Sequence, residues 1–216
     1  MTALFRPRAN IFFRIALAVI LGGAAGTVGG MMLYVRTPFG TRQFAELQQP
    51  IQFDHRHHVV DDNIDCRYCH QTVEKSNTAG IPATSLCMNC HSQIWNRSPL
   101  LDRVRESYFT GRTIEWMRVH RLPDFVYFNH SIHVTKGVGC ETCHGRVDQM
   151  PVMQQVAPLT MQWCLDCHRD PTPHLRPREA ITQMDYRPEK DQAVLGPELA
   201  KKYDVHSRTS CTTCHR

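Results

Sequence analysis

The sequence predicts a mainly α-helical chain with extensive loops: one N-terminal transmembrane helix, then a domain with little regular secondary structure. Three observations predict this. Residues 15–35 form an uncharged run of twenty-one residues behind a basic start. Thirteen prolines and twelve glycines are scattered without a clear repeat, which favours turns over long elements. In the rest of the chain the pattern Cys-x-x-Cys-His recurs five times and consumes all ten cysteines.

That pattern carries a specific chemistry. Two thiols three positions apart can each form a thioether to one porphyrin edge, and the histidine directly after the second cysteine reaches the iron from the proximal face. The copies are Cys66/Cys69/His70, Cys87/Cys90/His91, Cys140/Cys143/His144, Cys164/Cys167/His168 and Cys211/Cys214/His215. Structural zinc on Cys-x-x-Cys pairs does not require a histidine after every second cysteine, and a disulfide framework would not space every pair so locally. The reading is five covalently attached haem c groups in a multihaem cytochrome c domain. With roughly forty residues per haem, the interior is expected to be largely porphyrin wrapped by short helices and loops.

Taken in order, residues 1–14 carry Arg6, Arg8 and Arg14, and no acidic residue precedes Glu46. Residues 15–35 as a helix would span ~31 Å, matching a bilayer core of ~30 Å. The basic flank places residues 1–14 in the cytoplasm and the haem domain in the periplasm. A cleaved signal peptide is the alternative, but the apolar run continues through Met31–Tyr34, beyond the small residues at 24–26. Gly22, Gly26 and Gly30 recur every four residues, a face that lets another membrane helix approach. Residues 36–50 form a polar connector with Pro38, Gly40 and Pro50.

An internal duplication follows. Phe53-x-His55-x-x-His58 returns as Phe128-x-His130-x-x-His133, and the cysteine motifs that follow are offset by similar amounts. Residues 51–97 and 126–170 are therefore two dihaem halves. Residues 98–125, rich in arginine, are long enough for one helix between them. Residues 171–216 are expected to wrap the domain surface and carry the fifth haem.

Five distal ligand positions remain to be filled from eight other histidines. His55, His58, His130 and His133 are the best candidates, because each sits in the duplicated motif just ahead of a haem site. His57 breaks the pattern. The fifth position is open among His120, His174, His206 and the methionines Met150, Met153 and Met161; a methionine ligand would raise that haem's potential.

The duplicated motif resembles the small class III multihaem cytochromes. The combination with an N-terminal anchor is similar to the membrane-anchored pentahaem cytochrome subunits of Alternative Complex III. The residues that carry this resemblance are Trp116-Met-Arg-Val-His120-Arg-Leu-Pro-Asp-Phe-Val-Tyr-Phe128-Asn-His130, Cys140-Glu-Thr-Cys143-His144-Gly145 and Met161-Gln-Trp-Cys164-Leu-Asp-Cys167-His168. The resemblance covers the anchor and the chain to residue 170 and is weaker beyond it. It implies an electron-transfer subunit of a quinol:acceptor oxidoreductase. Implied partners are an iron–sulfur subunit, polytopic membrane subunits, a monohaem cytochrome subunit and a soluble periplasmic acceptor.

The residues leave two other functions in play. A stand-alone quinol dehydrogenase of the NapC/NirT type also has one anchor and several haems, but usually carries its first haem motif closer to the anchor. A multihaem reductase would need an iron with an open distal site, and all five motifs are regular. The formal charge of +5 does not mark a nucleic-acid binder: each ferric haem with ionised propionates contributes about −1, which cancels the excess, and arginine suits those propionates.

Overall fold

The protein is described here from a computed structural model covering residues 7–215; Arg6, part of the basic N-terminal stretch, lies outside the described residues. The chain divides into two compact units, residues 1–42 and 43–216.

The first unit is dominated by α1 (Pro7–Tyr34). The segment from Arg8 to Tyr34 has a mean hydropathy of 2.0. It is long and apolar enough to cross a membrane. The helix begins earlier than the uncharged run, because Arg8 and Arg14 are good helix formers and nothing breaks the pattern at Ile15. A short helix, α2 (Pro38–Thr41), follows; Thr37 caps it by accepting from the Gly40 amide at 3.2 Å.

The second unit is built from short helices: α3 (Cys66–Cys69), α4 (Thr84–His91), α5 (Asp102–Thr110), α6 (His130–Thr135), α7 (Cys140–His144), α8 (Met161–Arg169), α9 (Gln192–Lys202) and α10 (Cys211–Cys214). No strand occurs among the described residues; extended backbone pairs only at two isolated bridges, Val126 with His215 and Val138 with Leu175. The unit is mainly helical and loop-rich, as the composition predicts.

Buried apolar side chains gather in two small clusters. One joins Ile51, Met88, Leu101 and Val104, with Trp116 packed against it; the other joins Leu175, Leu199 and Tyr203. The second cluster shows that residues 171–210, expected to wrap the surface, also bury apolar side chains of their own. Leu195, Leu199 and Tyr203 recur every four residues on one face of α9 and its end, and they cover Leu175, which is 1 % exposed. The arginine-rich stretch 98–125 is helical only over α5. Gly111, at φ 71°, adopts the left-handed conformation that ends it, donating its amide to the Ser107 carbonyl at 2.9 Å.

One close approach holds α9 in place. A Cβ on the buried Gly196 would press into the Thr172 carbonyl oxygen, and Gln192 Nε2 donates to the carbonyls of Thr172 (2.8 Å) and Leu175 (2.9 Å). Gly196→Ala is therefore expected to cost about 1–3 kcal/mol of stability through overpacking. Denaturant unfolding of the variant should show a lowered midpoint with unchanged slope.

Candidate haem-binding sites

The two cysteines of every Cys-x-x-Cys-His motif sit on a helix: α3, α4, α7, α8 and α10. On a helix, residues i, i+3 and i+4 share one face, so in α4, α7 and α8 both thiols and the histidine point to the same side, while His70 and His215 directly follow α3 and α10. Three of these helices are only one turn long, and caps set where some of them start. Asp65 accepts from the Arg67 amide (2.8 Å) at α3, and Thr160 accepts from the Trp163 amide (3.4 Å) at α8. The ten cysteines are unbridged. Burial pushes the thiols of Cys69, Cys87, Cys140, Cys164 and Cys167 away from the thiolate form, and takes Cys66 to about 11 and Cys143 to about 12. Metals are held by thiolate; an uncharged thioether can be buried in the same place without that electrostatic cost.

The duplicated aromatic–histidine motif takes the same geometry twice. The Phe53 and His58 rings stack at 4.5 Å, and Phe128 and His133 also stack at 4.5 Å. His55 meets the Phe53 ring edge-on at 4.8 Å, and His130 meets Phe128 likewise at 4.7 Å. The residue ahead of each first histidine closes a turn: Asp54 accepts from the Arg56 amide and Asn129 from the Ser131 amide, both at 2.9 Å.

Each motif histidine is then aimed at the histidine of a cysteine motif. Ring centroids are 6.2 Å apart for His58 and His91, 6.0 Å for His133 and His168, and 6.3 Å for His130 and His144. His55 lies close enough to His70 for their charges to interact. With a metal–imidazole bond of about 2.0 Å, two imidazoles on opposite faces of one metal place their ring centroids about 6 Å apart. The three measured separations agree with that value, so the residues present fit an iron held between each pair.

The other ring nitrogen of these histidines is fixed by backbone. Nδ1 meets the carbonyl of Gly80 for His70 (2.7 Å), Ile94 for His91 (3.1 Å), Arg208 for His168 (3.0 Å) and Phe125 for His215 (3.1 Å). On the opposing side it meets Asp54 for His58 (3.0 Å), Asn77 for His130 (2.9 Å) and Asn129 for His133 (2.7 Å). A carbonyl can only accept, so Nδ1 carries the proton and Nε2 keeps its lone pair for a metal. His144 reaches His120 instead, Nδ1 to Nε2 at 3.2 Å. The buried Nδ1 of His55 has no partner. Burial, ahead of neighbouring imidazoles, lowers His144 to about 3 and His55 to about 4, and lowers His133. All three are neutral near pH 7, as a ligand must be.

The remaining candidates lie elsewhere. His206 is exposed, with Nε2 on the Asp204 carboxylate at 2.7 Å. His57, also exposed, holds Asp61 at 2.7 Å. His174 ends the turn Thr172–His174 and is half-buried. Met150 and Met153 are half-buried in the loop after α7, and Met161, 68 % exposed, opens α8. The His215 ring lies 5.7 Å from Phe125. Sequence reasoning missed the carbonyl acceptors, which carry no residue signature, and the pairing of His120 with His144.

The attachment sites also neighbour one another in a definite order. Cys69 interacts electrostatically with Cys87 and Cys90, Cys66 with Cys140, Cys143 with Cys164 and Cys167, and Cys164 with Cys214. The second motif thus adjoins the first, the first the third, the third the fourth, and the fourth the fifth.

With this geometry in place, two comparisons with known proteins bear on the class. Residues 126–216 match the family described as cytochrome c7 and related cytochrome c. That match implies covalently bound haem c in this part of the chain. The chain is also 36 % identical over 129 residues to the multiheme cytochrome c subunit of a menaquinone reductase from Nitratidesulfovibrio vulgaris (strain Hildenborough), covering 57 % of this chain and 60 % of that protein. The chain is therefore similar to a multihaem cytochrome c that serves a quinone-linked enzyme, and the matched segment spans less than two thirds of it.

Two predictions follow from the site. His133→Ala should leave one iron without its distal imidazole, so the oxidised holoprotein should gain a single high-spin ferric signal, whereas His206→Ala should leave the spectrum unchanged. The second concerns Asp65, whose carboxyl is held at about 2, chiefly by the Arg67 guanidinium, with the Arg67 amide and Thr182 Oγ1 (2.8 Å) adding to it. A depressed carboxyl stabilises the fold above its unfolded-state value and loses that contribution as pH falls through the folded one. Asp65→Asn should therefore be less stable than the parent at pH 7, with the gap closing between about pH 4 and pH 2 in acid-unfolding curves.

Proposed function

We propose that this chain is a membrane-anchored pentahaem cytochrome c that carries electrons within a quinol:acceptor oxidoreductase complex. The observation that carries this reading is the set of imidazole pairs at 6.0–6.3 Å, each joining a cysteine-motif histidine to one from the duplicated motif. Haem c, when bound, supplies a one-electron iron couple at each site. His70, His91, His144, His168 and His215 would hold the iron from the cysteine-motif side, and His55, His58, His130 and His133 would supply the second imidazole at four of the sites. Two imidazoles saturate an iron, which leaves outer-sphere electron transfer and disfavours ligand chemistry at the metal.

The protein's own part is placement. The adjacency of the attachment cysteines supports a route through the sites in the order second, first, third, fourth, fifth. The two dihaem halves, residues 51–97 and 126–170, meet where the amides of His130 and Ser131 donate to the carbonyls of Asn77 (3.2 Å) and Ser76 (3.1 Å). On this reading α1 anchors the chain in the cytoplasmic membrane with residues 1–14 inside and the haem domain in the periplasm. Its glycine face, open at Gly22, Gly26 and Gly30, receives a helix of the iron–sulfur and polytopic assembly. A monohaem cytochrome subunit and a soluble periplasmic protein complete the route to the acceptor.

The similarity to a menaquinone reductase subunit favours a second reading, in which the same path delivers electrons to quinone. Gentle detergent extraction of native membranes separates the readings. The proposal expects a large complex with iron–sulfur and polytopic subunits and quinol:cytochrome c activity. A complex that only reduces a menaquinone analogue supports the second reading. Purification as a lone chain that oxidises quinol would instead support a NapC/NirT-type dehydrogenase.

A further inference from the structure

His120 and His144 are joined imidazole to imidazole, Nδ1 of His144 to Nε2 of His120 at 3.2 Å, with ring centroids 4.4 Å apart at 69°. The tautomers follow from chemistry. If His144 gives Nε2 to iron, its proton is on Nδ1 and must be donated. The receiving Nε2 of His120 then bears the lone pair, and the His120 proton sits on its own Nδ1. In that state neither nitrogen of His120 is available to a metal.

We infer that His120 is a positioning residue for the α7 haem, an imidazole acceptor that orients His144 and raises its basicity, and is not itself an axial ligand. The inference rests on the proposed role of His144 as a proximal ligand.

The contrast with the duplicated site sharpens the assignment. His70, the counterpart of His144 in the first half, donates Nδ1 to the Gly80 carbonyl at 2.7 Å, and every other cysteine-motif histidine also meets a carbonyl. Only the α7 site replaces the carbonyl by an aromatic nitrogen. His120 reaches it from the irregular stretch after Trp116, ten residues ahead of His130, whose ring lies 6.3 Å from that of His144. An acceptor on Nδ1 makes the ligand more electron-rich and favours ferric over ferrous iron. The half-buried His120 ring suits this role. The α7 site adjoins both the α3 and α8 sites in the order above, so its potential governs passage between the two halves.

The test uses the haem-loaded full chain with His120→Leu and His120→Gln. Removing the acceptor with Leu should raise the potential of one couple while the other four stay in place, with every iron remaining as low-spin as in the parent. Gln restores an oxygen acceptor and should bring that couple back towards the parent. A new high-spin signal in either variant would show that His120 is an axial ligand and overturn the inference; five unmoved couples would overturn it as well. Should the Leu variant fail to load haem, the Gln variant decides by the same readings, with a smaller upward shift expected. Failure of the underlying cytochrome reading shows separately, as a parent protein without covalently bound haem.

Discussion

An imidazole can offer iron a lone pair at Nε2 only while its proton rests on Nδ1. Much of this domain is arranged to keep it there. Seven of the paired or motif histidines lean Nδ1 on a backbone carbonyl, drawn from loops as far apart as Asn77 and Arg208. Each such bond fixes a ring's tautomer and its direction together. The loops that look irregular in sequence are therefore constrained at the positions where a carbonyl must face a ring.

This constraint explains why so little conventional core is needed. Buried apolar residues gather in two small clusters, one around Leu101 and Val104 and one around Leu175 and Leu199. Between them lie short helices whose main task is to bring two thiols and a histidine onto one face. A helix of one turn is not stable by propensity alone. Caps such as Asp65 and the long-range Nδ1 bonds of His168 and His215 tie these turns to the rest of the chain. On the proposed reading, the covalent thioethers complete the same job.

The parts legible in the sequence are those whose chemistry is written in side chains. The cysteine pairs fall on helices, and the duplicated Phe-x-His-x-x-His motif marked out His58, His130 and His133, whose rings the structure brings to 6.0–6.3 Å from the histidines of three cysteine motifs. What was not legible depends on the backbone or on distance. Gly80, Ile94 and Phe125 act through their carbonyls, which any residue could supply. His120 stood among several candidates for a distal position, since nothing in its neighbourhood says that its partner is His144. The reading of residues 171–210 as surface wrap underweighted the four-residue spacing of Leu195, Leu199 and Tyr203, hidden behind a proline-rich start. α1 starts at Pro7, ahead of the uncharged run 15–35, because charge bounds what lipid can cover whereas helix propensity bounds where the backbone can coil.

The central claim is that histidine pairs, not open irons or His–Met pairs, hold these haems. Electron paramagnetic resonance of the fully oxidised holoprotein, with each signal integrated against haem content, tests it directly. The account predicts bis-imidazole low-spin signals for at least the four irons between His55 and His70, His58 and His91, His130 and His144, and His133 and His168. Two or more haems integrating as high-spin, or as low-spin with a thioether ligand, would contradict it.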